Sequence, residues 1–150
     1  DAQTHAWEVH KQKERGVTSG SVLDGVPLAL PALMRADKLQ KKASRAGFDW
    51  PDIRGVFNKV EEEMGELRAE IEEGLDREAI KDEAGDLLFA VVNLVRHAGA
   101  EPESALRRAN RKFTKRFQQV ELLCQQAGTS VTETDLDTLD WYWDQVKMRE

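Results

Sequence analysis

Cysteine is nearly absent from this chain: Cys124 is the only one in 150 residues. No internal disulfide can form, and a reducing cytoplasm fits. No apolar run approaches the roughly 18 residues of a membrane span, and no secretory leader is visible. An excess of positive charge is missing too. Lys and Arg number 22 against 28 Asp and Glu, for a formal net charge of −6. A nucleic-acid polymer, whose phosphates call for clustered cations, is therefore disfavoured as a partner. A single nucleotide carried in with its metal is not. No stretch alternates convincingly as a strand, no internal repeat appears, and there is no glycine-rich phosphate loop of the Walker or Rossmann kind. Nor is a Ser-His-Asp arrangement readable, so covalent catalysis by a protein nucleophile is not expected. The chain begins at Asp1 without Met, which fits a fragment or a processed product.

What the chain does have is acid at helical spacing. Between Lys59 and Asp86 it reads KVEEEMGELRAEIEEGLDREAIKDEAGD. Glu63 and Glu66 are three residues apart, as are Glu83 and Asp86, so each pair lies on one helix face. Apolar residues keep the same period around them. Val56, Val60, Met64, Leu67 and Ile71 form one stripe. Ile80, Ala84, Leu87, Leu88, Val91 and Val95 form another. Glu63 and Glu83 fall on or beside these stripes. A carboxylate aimed at a core is costly unless paired or bound to a metal. Two helices that each aim two acids inward therefore suggest a cation between them. The alternative is that these glutamates solvate a face, as Glu61, Glu70, Glu72, Glu73 and Glu78 are expected to do. An all-oxygen set favours Mg²⁺ or Mn²⁺ over zinc. A di-iron carboxylate bundle would need Glu-x-x-His pairs, and neither His10 nor His97 supplies one.

The length suits one domain with a core. Residues 1–20 read as a polar leader or linker, with Trp7 on a short helix or arm, and 21–150 as the folded domain. Helices are expected over about 31–45, 52–73, 77–98, 102–127 and a final segment capped near Thr132 or Thr134. Pro31, Pro51 and Pro102 suit first turns, Gly47, Gly74, Gly99 and Gly128 suit ends, and Asp49 or Asp52, then Asp76, suit caps. The link around Gly74 is short, so the second and third helices should be antiparallel and bring the acidic pairs face to face. The fourth helix carries an apolar stripe, Leu106, Ala109, Phe113, Phe117 and Val120. Beside it runs a basic series, Arg107, Arg108, Arg111, Lys112, Lys115 and Arg116. Lys112 and Arg116 flank the phenylalanines and suit either polyphosphate oxygens or a solvated face. Leu136, Leu139, Trp143 and Val146 share a face of the last helix. Phe48, Trp50 and Trp143 are core plugs or rings for a flat ligand, and core is the default.

Taken together these residues resemble a known family, the MazG-type nucleoside triphosphate pyrophosphohydrolases of the all-α NTP pyrophosphatase group. The resemblance rests on an EExxE motif followed by ExxD: Glu62-Glu63-Met64-Gly65-Glu66 and Glu83-Ala84-Gly85-Asp86. The stretches 30–50, 85–99, 109–117 and 143–147 extend it, and it runs from about residue 7 to the end. The chain is most similar to the carboxy-terminal half of a two-domain MazG. The resemblance implies an all-α bundle of about five helices whose core is completed by dimerisation, as a homodimer or higher homo-oligomer. It implies hydrolysis of NTPs or dNTPs to the monophosphate and pyrophosphate, with Mg²⁺ (Mn²⁺ as a substitute) on Glu63, Glu66, Glu83 and Asp86. Glu62, Glu63 and Glu66 are the implied catalytic acids. Lys59, Asp86, Lys112, Arg116 and Trp143 are the implied nucleotide contacts, with Lys38 and Lys147 as further basic positions. A rival reading from another class is a helical dimerisation or nucleotide-sensing module that does not hydrolyse.

Overall fold

The structure is a computed structural model, and it describes residues 20–74 and 76–150. The expected leader, with Trp7, lies outside the described residues except for Gly20. Among the described residues every regular element is helical, and no strand occurs. The helices are α1 (Ala32–Arg45), α2 (Ile53–Glu73), α3 (Arg77–His97), α4 (Pro102–Gln126) and α5 (Leu136–Met148), with a 3₁₀ turn at Val131–Glu133. This is the all-α architecture that the apolar periodicity predicts. No described helix is long and apolar enough to cross a membrane.

Local chemistry sets the boundaries. Asp52 opens α2 by accepting from Arg54 N at 2.8 Å, and Asp76 opens α3 by accepting from Glu78 N at 3.0 Å. Both satisfy an amide that the first turn leaves bare. Gly74 ends α2 while its N–H still bonds Glu70 O at 2.8 Å. A Cβ at this position would stand 2.5 Å from that carbonyl oxygen, so only glycine lets the chain turn there. Gly99 leaves α3 at φ 84°, a left-handed conformation open to glycine. The last helix departs from expectation. Its cap is Asp135, which accepts from Thr138 N at 2.8 Å. Thr132 lies within the 3₁₀ turn, and the Thr134 hydroxyl is turned back onto Ser130 O at 2.6 Å.

The region expected as one domain, 21–150, comprises two compact units, one closing at Glu103 and the other spanning Ser104–Glu150. In the first, α3 packs against both α1 and α2. The three-residue link makes α2 and α3 antiparallel. Gln40 meets Phe89, and the α1 end meets the α3 end through Asp49, so α1 and α3 run parallel. Val56, Ala90 and Val92 are its buried apolar side chains. In the second unit Val120, Cys124 and Val146 form a buried cluster, with Leu123, Val131, Leu139, Tyr142 and Trp143 packed on it.

The predicted stripes are only partly buried. Met64, Ile71, Leu88 and Val91 are exposed on the hairpin, as are Leu106, Phe113, Phe117 and Leu136 farther along. Phe48 is 83% exposed and Trp50 44%, so neither is a core plug. Helical period identifies the apolar face of a helix; it does not say what covers that face.

A candidate cation site on a helical hairpin

Antiparallel packing of α2 and α3 brings their acids together. Carboxylate oxygens of Glu63, Glu83 and Asp86 all lie within 4.8 Å of one another. Glu63 is buried, Glu83 half-buried and Asp86 exposed, so the cluster opens from the helix interface toward solvent. Glu66 lies outside this triplet but adjoins it, interacting with Glu63 and Glu83.

Lys59, one turn before Glu63, sets the electrostatics. Its Nζ is 2.7 Å from Glu63 Oε1 and 3.3 Å from Glu62 Oε1. This contact holds the Glu63 carboxyl below the ordinary carboxylate range, with burial opposing it. Glu66 goes the other way. Its proton affinity is raised first by a shared hydrogen bond with Glu63 and then by the charge of Glu63, with burial and the charges of Glu83 and Glu62 adding. Proton affinity is thus lowered at one acid of the motif and raised at the other.

The donor set fits a hard divalent cation. Glu63 Oε2 and Glu83 Oε2 are buried and have no hydrogen-bond donor. Buried carboxylate oxygens without a donor are costly, and acceptors cannot satisfy each other. A cation held by the cluster would offset the charge of both glutamates. All the converging ligand atoms are carboxylate oxygens, which suits the Mg²⁺ class.

The second unit holds most of the basic and aromatic positions singled out from the sequence. Arg116 makes a two-pronged pair with Glu150, Nε to Oε1 at 2.8 Å and Nη2 to Oε2 at 2.7 Å. Its guanidinium also lies 5.9 Å from the Trp143 ring centre, and Trp143 meets Phe113 at 5.6 Å between ring centres. Arg116, Lys115, Arg149 and Glu150 line a cleft of about 460 Å³. Lys112 is exposed and adds to the positive field on Glu150. Lys147 stands 3.6 Å from Asp144. Lys38 is exposed on α1. Sequence reasoning passed over Asp37 and Gln40, which are buried on α1. Asp37 stands four residues before Lys41 and pairs with it, a spacing that was legible but looked like surface.

Fold and site define an α-helical protein with a carboxylate cluster suited to a divalent cation. Residues 54–121 match the MazG nucleotide pyrophosphohydrolase domain, a span that contains the whole cluster. Over these residues the chain is similar to that family. It is 44% identical over 146 residues to the nucleoside triphosphate pyrophosphohydrolase of Escherichia coli K12, covering 96% of this chain and 56% of that protein. It is 42% identical over 141 residues to the nucleoside triphosphate pyrophosphohydrolase/pyrophosphatase MazG of Thermotoga maritima, covering 94% of this chain and 54% of that protein. The same identity extends over 144 residues of YabN from Bacillus subtilis, an uncharacterised protein of which the chain covers 29%. The chain thus spans little more than half the length of the first two relatives.

Proposed function

We propose that this chain hydrolyses nucleoside triphosphates, ribo or deoxyribo, to the nucleoside monophosphate and pyrophosphate. The observation that carries the reading is the cluster of Glu63, Glu83 and Asp86 with its two buried bare oxygens. Its place within the stretch similar to the pyrophosphohydrolase family supports it, as do the names of the bacterial relatives.

Glu63, Glu66, Glu83 and Asp86 hold Mg²⁺, with Mn²⁺ as a substitute. The bound cation would offset substrate charge and lower the pKa of a coordinated water. The protein's own groups divide the remaining work. Lys59 keeps Glu63 anionic and fixes its orientation, leaving Oε2 turned away from the lysine. One of Glu62, Glu63 and Glu66 accepts the proton of the attacking water. Glu62, on the same lysine, helps to orient water or substrate. Lys112 and Arg116 neutralise charge developing on the leaving pyrophosphate, and Trp143 offers a ring to the base. Lys38 and Lys147 add positive charge around the polyphosphate.

The working form in this reading is a homodimer or higher homo-oligomer. Apolar side chains exposed on α2 and α3, among them Ile71 at 57% and Leu88 at 60%, support a further helix surface over the hairpin. A cytoplasmic setting is part of the same reading and is supported by the lone, free, buried thiol of Cys124.

The test is pyrophosphate release from the common NTPs and dNTPs, with Mg²⁺ and with EDTA, by wild type and Glu63→Gln. Metal-dependent release that falls roughly a hundredfold or more in the variant is expected. Metal-dependent nucleotide binding without release would point to a sensing module, and equal release by the variant would remove Glu63 from the site.

A further inference from the structure

Two buried side chains of α1 are not explained by the acid cluster as described. Asp37 is 3% exposed and Gln40 is 7% exposed. Each has one polar end engaged: Lys41 Nζ lies 2.9 Å from Asp37 Oδ2, and Gln40 Nε2 donates to Phe89 O at 3.0 Å. The other ends, Asp37 Oδ1 and Gln40 Oε1, are buried acceptors with no donor.

Helix register shows where they stand. Since α1 and α3 run parallel with Gln40 against Phe89, one turn back along both helices brings Asp37 level with Asp86. Asp86 is one of the clustered acids. Among the described residues of the first unit, four buried side-chain oxygens have no donor: Asp37 Oδ1, Gln40 Oε1, Glu63 Oε2 and Glu83 Oε2. Asp37 is not among the carboxylates that converge within 4.8 Å, so it is not placed as a direct ligand. Small hard cations keep several waters, and those waters are strong donors. We infer that Asp37 Oδ1 and Gln40 Oε1 accept hydrogen bonds from the hydration shell of the cation held by Glu63, Glu83 and Asp86. They are positioning residues of that site. Lys41 already offsets the Asp37 charge, so the acceptor contributes direction more than net charge. This inference rests on reading the cluster as a cation site.

The experiment is a Mn²⁺ titration followed by electron paramagnetic resonance, on the 150-residue chain and its variants, with melting curves in Mn²⁺ and in EDTA. In Asp37→Asn the amide oxygen is drawn to Lys41, which turns an N–H₂ toward the site where an acceptor stood. Mn²⁺ affinity should fall about tenfold to a hundredfold. The Mn²⁺-induced rise in melting temperature should shrink, with melting in EDTA no lower than wild type. A purely structural role gives the opposite pattern, lower melting in EDTA with affinity intact. The inference is overturned if Asp37→Asn binds Mn²⁺ within about twofold of wild type while Glu83→Gln abolishes binding. Should Asp37→Asn fail to fold by circular dichroism, Gln40→Met carries the test: several-fold weaker Mn²⁺ binding supports the inference and unchanged binding overturns it. If wild type itself takes up no Mn²⁺, the cation site falls and the inference with it, a result distinct from the others.

Discussion

Replacing Asp49 by Ala should be the most damaging single change outside the acid cluster. Asp49 sits in the turn between α1 and α2. It accepts from Ser44 Oγ at 2.8 Å, Trp50 N at 2.8 Å and Arg96 Nη2 at 2.9 Å. The His97 Nε2 atom lies 2.8 Å away. One carboxylate thus ties the end of α1 to the end of α3 and fixes the register that sets Gln40 on Phe89. Its side chain is 20% exposed, and those of Arg96 and His97 are 14% and 15%. Removing it takes the Asp49 partner from His97 Nε2 and leaves Arg96 Nη2 with Asn93 Oδ1 alone, 2.7 Å away. Bonds to charged groups contribute about 1.5–3 kcal/mol each and do not add fully. Partial solvent access reduces the total further. A loss of about 2–4 kcal/mol at pH 7 follows, or roughly 10 °C in melting temperature for a chain of this size.

The pH dependence carries a sign that checks the cause. Arg96 holds the Asp49 carboxyl far below the usual range; burial opposes this, and His97, Ser44 and the Trp50 amide add to it. A depressed carboxylate stabilises the fold fully above its unfolded pKa of about 3.9, and that contribution is lost as pH falls from there toward the folded value. Urea titrations of wild type and Asp49→Ala should therefore show a gap that is constant near neutrality and narrows below about pH 4. A gap under about 0.5 kcal/mol at pH 7, or one that does not narrow in acid, would refute the latch.

Three further outcomes are expected. Lys59→Met removes the chief cause of the lowered Glu63 affinity for protons, so the acid limb of Mn²⁺ binding should move to higher pH; an unmoved limb sinks the pairing. Glu150→Gln weakens the two-pronged grip on Arg116, and if Arg116 contacts the triphosphate, KM for nucleotide should fall a few-fold with kcat little changed; an unaltered KM argues against that contact. Val56→Ala hollows the most buried apolar position of the first unit, 1% exposed, and should lower unfolding free energy by about 2 kcal/mol, read by urea denaturation.

Much of this protein is legible along the chain because helices are built from local contacts. Asp52, Asp76 and Gly74 act on neighbours within four residues, so caps and breaks can be read without knowing the fold. The pairing of Glu63 with Glu83 and Asp86 was also within reach, since a short link leaves a helix hairpin little choice of direction. The cap of α5 was missed because Thr132, Thr134 and Asp135 are all competent, and only the 3₁₀ turn decides among them. Long-range register was beyond the sequence. That Asp49 would receive Arg96 and His97 rather than cap α2, or that Asp37 and Gln40 would be buried on α1, depends on how whole helices pack. The sequence by itself determined the helices and which acids could meet. Tertiary structure alone decided which polar atoms were buried without partners, because burial belongs to every element packed around a residue and not to its neighbours in the chain.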